Sequence, residues 1–156
     1  MINFYFVGRA VFRQKRIDRF KEFALILNEK NIQFKVHFFS RDMPDDMKFV
    51  ENVILHGYKK DWINYIASDY IMLLFSDYEG CPLCILEAYK IGFKKAAVIE
   101  MPGINNYVSS NCIFNNIKDL TSCNFKKYNF ENTLDLSTYF DEIRFNTEIE
   151  EFYRFI

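Results

Sequence analysis

Residues 70 to 92 read YIMLLFSDYEGCPLCILEAYKIG, and this stretch decides the fold. Its first six residues, Tyr70 to Phe75, are apolar throughout with no alternation. A strand of that kind is expected where both faces of a sheet are covered, as in a parallel sheet. The polar loop SDYEG follows, and PLCILEAYKIG then reads as a helix with Pro82 in its first turn and Gly92 at its end.

The same alternation extends outward on both sides. Residues 2 to 7, INFYFV, form an aromatic and β-branched strand that ends at Gly8. From Lys15 to Glu29 the residues Ile17, Phe20, Ala24 and Leu27 recur at helical spacing, widened by Phe23 and Ile26. Strands are predicted over 32 to 39 and 52 to 57, separated by a polar loop with Pro44, and a helix over 59 to 68. Beyond residue 92 come a strand at 96 to 100, a turn or short helix from Pro102 and a brief strand at 112 to 114. The spacing of Leu136, Phe140, Ile143, Ile149, Phe152 and Ile156 predicts one or two amphipathic helices from about residue 135. Alternating strands and helices with short connections argue for an α/β, Rossmann-like open parallel sheet with helices on both faces, as a single domain over 1–156.

Composition sets limits on function. The chain has 156 residues, 20 basic against 21 acidic, for a formal charge of −1, so bulk electrostatics call for neither nucleic acid nor an anionic surface. Aromatic residues make up 19%, 18 of them Phe, enough for one well-filled core. No apolar run reaches the roughly 18 residues of a membrane span, and the opening MINFYFVGRAVF lacks the basic start of a secretory leader. A cytoplasmic protein is expected, and Cys81, Cys84, Cys112 and Cys123 are expected to be free thiols.

In open parallel sheets, ligands bind beyond the carboxyl ends of the strands. The loops that matter are therefore 8 to 15, 40 to 45, 57 to 60, 76 to 82 and 101 to 106. The first holds Gly8, Arg9, Arg13 and Lys15, with Arg16 next to it, between a strand end and a helix start. Cations there would strengthen the anion preference of a helix N-terminus, or form a solvated basic turn. In the fourth, Glu79 and Glu87 are separated by seven residues that carry no charge. A carboxylate among Leu83, Leu86 and Ala88 needs hydrogen-bond donors, which sugar or ribose hydroxyls would supply. The plainer readings are that Glu87 reaches solvent or pairs with Lys90, and that Glu79 complements a helix dipole.

The string FSDYEGCPLCILEAYKIG, taken with VGR and Lys15, resembles the C-terminal, donor-binding half of retaining GT-B glycosyltransferases of the family 4 type. Their E-x(7)-E pattern, inside S-x-x-E-G-x-P/G-L-x-x-x-E-A, corresponds to Ser76, Glu79, Gly80, Pro82, Leu83, Glu87 and Ala88. The upstream Gly-Arg, followed six residues later by Lys, corresponds to Gly8, Arg9 and Lys15. The resemblance covers about residues 3 to 115 and implies a nucleotide-sugar site needing no metal. Arg9 and Lys15 would hold the diphosphate, Glu79 the donor sugar hydroxyls and Glu87 the ribose, with backbone N–H groups of Leu83 and Cys84 on the phosphate. It further implies transfer of a hexose from a UDP- or GDP-sugar to a glycan or lipid-linked acceptor, in polysaccharide, lipopolysaccharide or capsule synthesis. An N-terminal domain, in the same or another chain, would supply the acceptor site, and peripheral association with the inner face of the membrane would follow.

This chain has Phe39, Ser40 and Arg41 where the family commonly has a Gly-rich turn, and Asn106 where Glu is usual after Pro102 and Gly103. Other readings stand beside the resemblance. One is a binding module or subunit that catalyses nothing alone; another is a flavodoxin-like interaction domain with surface charges. Cys81 and Cys84 form a CxxC at a helix start, where a redox pair would sit with a lowered thiol pKa. Of the two histidines, His56 beside Gly57 is better placed than His37 to approach a ligand.

Overall fold

Side chains alternate across a strand, so β1 (Ile2–Val7) sends Phe4 and Phe6 to one side and Tyr5 to the other, and all three are buried. A computed structural model describes residues 1–10 and 12–140; the side chains of Phe12 and Asp46 are not described. Five further strands join β1 in one sheet: β2 (Phe34–Phe39), β3 (Val53–Leu55), β4 (Ile71–Leu74), β5 (Ala96–Ile99) and β6 (Ile113–Phe114). The order is β3-β2-β1-β4-β5-β6 and every pairing is parallel, with Tyr5 opposite both His37 and Met72. The chain thus winds outward from β1 in one direction, returns, and winds outward from β4 in the other. The switch point lies between β1 and β4, where such folds open a crevice at the carboxyl ends.

Helices cover both faces. Helix α2 (Ile17–Glu29) lays Ile17, Phe20, Phe23, Ala24 and Leu27 on the side of Phe4 and Phe6, and α4 (Ile117–Ser122) packs beside it. Phe23 meets Phe4 edge to face at 5.1 Å and 88°, an arrangement that ring quadrupoles favour. On the other side α3 (Leu83–Lys90) brings Ile85, Leu86 and Ala88 against Tyr5, Met72, Leu74 and Val98. Gly92 ends α3 at φ 85, with its N–H donating to Tyr89 and that of Phe93 donating to Ala88, the paired bonds of a left-handed C-terminal cap.

Four elements differ from the sequence expectation. The helix read from Lys15 is two: a single turn, α1 (Phe12–Lys15), and α2, separated by Arg16 at φ 49 and ψ 57. The turn is fixed from across the cleft, because the Gln14 carbonyl accepts from the Asp77 N–H at 2.9 Å. The helix expected over 59 to 68 is one tight turn, Trp62–Tyr65. Only Trp62 is buried there, against Tyr5 at 5.7 Å, so no apolar stripe extends a helix in either direction. Helix α4 was not expected, although Asn116 caps it by accepting from Asp119 N–H at 2.9 Å. The terminal helices expected from about 135 reduce, up to residue 140, to one turn at Ser137–Tyr139; the remainder lies outside the described residues. No helix among the described residues is long and apolar enough to cross a membrane.

Candidate functional site at the switch point

The loops that leave β1 and β4 meet over the switch point, and most of the residues singled out in the sequence lie on them. Gly8 ends β1 at φ 148, a conformation that side chains disfavour, and a Cβ there would stand 3.5 Å from the Phe6 ring. Its N–H donates to the Phe39 carbonyl at 3.2 Å, and the Ala10 N–H donates to the buried Ser40 hydroxyl at 3.0 Å. The Phe39, Ser40 and Arg41 turn, a departure from the glycine-rich pattern, thereby supports the first loop.

Lys15 closes α1 and reaches across to Glu79, with which it forms a hydrogen-bonded ion pair. Ser76, fully buried, donates its hydroxyl to the same Glu79 oxygen at 2.6 Å. The side chains of Lys15 and Glu79 are 15% and 9% exposed, so both charges are largely out of water and each answers the other. Arg9 is half-buried on the first loop and makes no ion pair with a described residue.

Helix α3 begins directly behind this loop. Leu83 and Glu87, one turn apart, are both half-buried, whereas Ile85, Leu86 and Ala88 point inward to the core. Glu87 therefore lies on the side of α3 that the core does not claim. The two amides expected to serve an anion differ. Leu83 N–H donates to the Cys81 carbonyl at 2.9 Å within a tight turn, whereas no described backbone acceptor meets the Cys84 N–H. Pro82 precedes the helix instead of forming its first turn, at φ −78 and ψ 75. Gly80 is exposed, and a Cβ there would meet nothing within 4 Å.

The four cysteines form no disulfide, and burial pushes Cys84 up to about 12, with the carboxylates of Glu79 and Glu87 adding to the rise against the opposing pull of Lys15. A thiol held protonated in this way is a poor nucleophile, so Cys84 is not the attacking group of a redox pair.

The histidines form a separate cluster on β2 and just past β3. His37 Nδ1 lies 2.9 Å from His56 Nε2, and the His56 ring stacks on Phe39 at 4.5 Å. Burial, then His56 and Lys35, depress His37 to about 4, while burial and Lys59 lower His56. Both rings are neutral at pH 7. No group of three or more His, Cys, Asp or Glu among the described residues is arranged to hold a metal ion. Two open hollows of about 380 and 310 Å³ lie at the opposite, amino ends of the strands around Ile2, Phe125 and Lys126, and none of the expected site residues lines them.

Sequence reasoning passed over two residues of this site. Ser40 was seen only as a departure from a pattern, and Asp77, which takes Arg16 at 3.0 Å and Arg19 at 2.9 Å, was not singled out. Its place beside Ser76 and Glu79 was the available signal.

The sequence and the fold have counterparts among known proteins. Residues 2–115 match the sequence family described as glycosyl transferases group 1. Among solved structures, the fold is similar to the catalytic domain of cholesterol-alpha-glucosyltransferase from Helicobacter pylori, with a TM-score of 0.53 and 18% identity over 78% of this chain and 83% of that one. No curated protein matches at a significant level. With a six-stranded parallel sheet of Rossmann type and a family match over most of its length, this chain belongs to the group 1 glycosyltransferases.

Proposed function

We propose that this chain is the nucleotide-sugar-binding domain of a retaining glycosyltransferase that transfers a hexose from a UDP- or GDP-sugar to a glycan or lipid-linked acceptor. The observation that carries this reading is the meeting of Lys15, Glu79 and Ser76 over the switch point, inside the family match. In the reaction the bond between the anomeric carbon and a diphosphate oxygen breaks, and negative charge gathers on the leaving nucleoside diphosphate. Arg9 and Lys15 meet that charge without a metal ion, as fixed cations in a water-poor site. The Cys84 N–H at the α3 start adds one backbone donor, while Leu83 bounds the same surface. Glu79 passes from Lys15 to the donor sugar hydroxyls, and Glu87, on the outer side of α3, takes the ribose. Gly8 and Gly80 let the two loops approach the ligand closely.

An acceptor-binding domain, in the same or another chain, would complete the cleft over these loops. Acceptors of the polysaccharide or lipid-linked kind would bring the assembly to the inner face of a membrane.

Calorimetric titration with UDP, GDP, ADP and their sugar conjugates tests the reading. One base is expected to bind selectively, with affinity reduced tenfold or more in Arg9→Ala and in Glu87→Ala. Absence of any nucleotide response, in a chain with an intact thermal transition and with the acceptor domain supplied, would sink it.

A further inference from the structure

At the centre of the contact between the two loops stands Asp77, a carboxylate to which the proposed reading gives no part. Its N–H donates to the Gln14 carbonyl at 2.9 Å, and Gln14 Nε2 answers with a hydrogen bond to the Tyr78 carbonyl at 3.2 Å. Its side chain accepts from Arg16 at 3.0 Å and pairs with Arg19 at 2.9 Å. Arg19 is itself tied to the Phe75 carbonyl at 2.7 Å. All these bonds join the segment after β1 to the segment after β4.

Arg16 is the member under strain. At φ 49 and ψ 57 it lies in the left-handed region that residues with a side chain rarely occupy. It immediately follows Lys15 and is the point where the axis of α1 gives way to that of α2. Asp18 and Asp77 grip its guanidinium from two sides, Asp18 through bonds of 2.8 to 3.2 Å. These contacts raise Arg16 above the ordinary arginine range, and Arg16 in turn lowers Asp18. An outlying backbone conformation persists where its surroundings over-determine it, and here the surroundings are two carboxylates, Asp18 from the first turn of α2 and Asp77 from the loop after β4.

We infer that Asp77 is a positioning residue: it holds Arg16 in the left-handed conformation and so sets Lys15 opposite Glu79. Lys15 adjoins Arg16, and Glu79 lies two residues beyond Asp77, so one clasp fixes the spacing of both charged groups. Only the functional consequence rests on the proposed reading of Lys15 and Glu79 as donor-site groups. The side chains of Arg16 and Asp77 are 33% and 40% exposed, and exposed pairs add little to global stability. The effect of the clasp is therefore local.

The test is carried out on the full chain with isotope-labelled lysine, reading the Lys15 ε-methylene signal by NMR, assigned through its loss in Lys15→Arg. Glu79→Gln is expected to move this signal, which defines the unpaired position. Asp77→Asn is expected to carry the signal at least half of the way there, with the melting temperature held within about 3 °C. Glycine adopts the left-handed conformation freely, so in an Arg16→Gly background the Asp77→Asn change is expected to leave Lys15 in place. Titration with UDP, GDP and ADP is expected to show affinity about fivefold or more weaker in Asp77→Asn and restored in the double variant, a difference of about 1 kcal/mol.

A Lys15 signal that ignores Glu79→Gln or Asp77→Asn, or that moves equally in the Arg16→Gly background, overturns the inference. A wild-type chain that binds no nucleotide with the acceptor domain supplied rejects the donor reading alone, since the Lys15 signal still decides whether Asp77 positions it.

Discussion

The two faces of the sheet are built from different chemistry. On the side of α2 and α4 the core is rich in phenylalanine: Phe4, Phe6, Phe20, Phe23, Phe34, Phe38, Phe75, Phe114, Phe125 and Phe130. On the side of α3 the two largest buried side chains, Tyr5 and Trp62, carry polar handles. Tyr5 stacks on Trp62, and the Tyr5 hydroxyl, Trp62 Nε1 and His37 Nε2 are all buried with no hydrogen-bond partner among the described residues. One residue of register on β1 separates Phe4 from Tyr5, and therefore separates a face that only packs from one that also carries buried polar atoms. Unsatisfied polar atoms cost stability, so they mark where a fold departs from what packing alone would choose. Here they share a face with α3 and the loops of the candidate site.

The sharpest way to break this comparison is at Phe23. Its ring is fully buried and stands edge to face with Phe4, Phe75 and Phe125. Phe23→Ala is expected to lower unfolding free energy by about 3–5 kcal/mol, the cost of deleting a large ring from a rigid core. Urea denaturation measures it. A loss under about 1 kcal/mol would show that this face is loosely packed and that the contrast between the faces is false.

The second effect belongs to the other face and depends on pH. His37 titrates near 4 when folded, because it is buried against His56 and near Lys35, and near the ordinary histidine value of 6.5 when unfolded. Above pH 6.5 neither state holds the proton. As pH falls from 6.5 towards 4 the unfolded chain takes it up and the folded chain does not, so stability is lost across that window, by an amount of the order of 1–3 kcal/mol. His56, also lowered, acts in the same direction. His37→Phe is expected to flatten the pH dependence between 6.5 and 4 in denaturant titrations. An unchanged slope would place the acid sensitivity in groups other than this histidine.

This asymmetry explains how much could be read in advance. The strands were legible because each is a short apolar run with punctuation after it, and IMLL at 71 to 74, buried on both sides, is the clearest case. Glu79 and Lys15 stand out in the sequence because their residue types and spacing match a family pattern, and the structure brings the two together. Hidden from the sequence were the contacts that depend on two distant loops meeting. Asp77 lies 61 residues from Arg16, and nothing local marks either as the other's partner. The helix over 59 to 68 failed for a related reason: periodicity registers apolar spacing, but only Trp62 finds a buried site. Helix α4 shows the converse, a segment of modest periodicity held by its Asn116 cap and by packing on α2.

The smallest effect on stability separates folding from function most cleanly. Gly8 and Gly80 stand on the two site loops, and only the first is required by the backbone, at φ 148 with the Phe6 ring beside it. Gly80 has no positive φ, and an added methyl would enter open space. Gly80→Ala should therefore leave the unfolding free energy within about 0.5 kcal/mol of wild type, as exposed substitutions away from special features do. If the donor diphosphate lies against this backbone between Glu79 and the start of α3, the same methyl occupies its space, and nucleoside diphosphate-sugar affinity falls tenfold or more. Unchanged affinity together with unchanged stability would move the donor off the loop after β4, leaving the Lys15–Glu79 pair as a fastening between two loops. A loss of affinity at constant stability would mean that the open space over Gly80 is open because a ligand fills it.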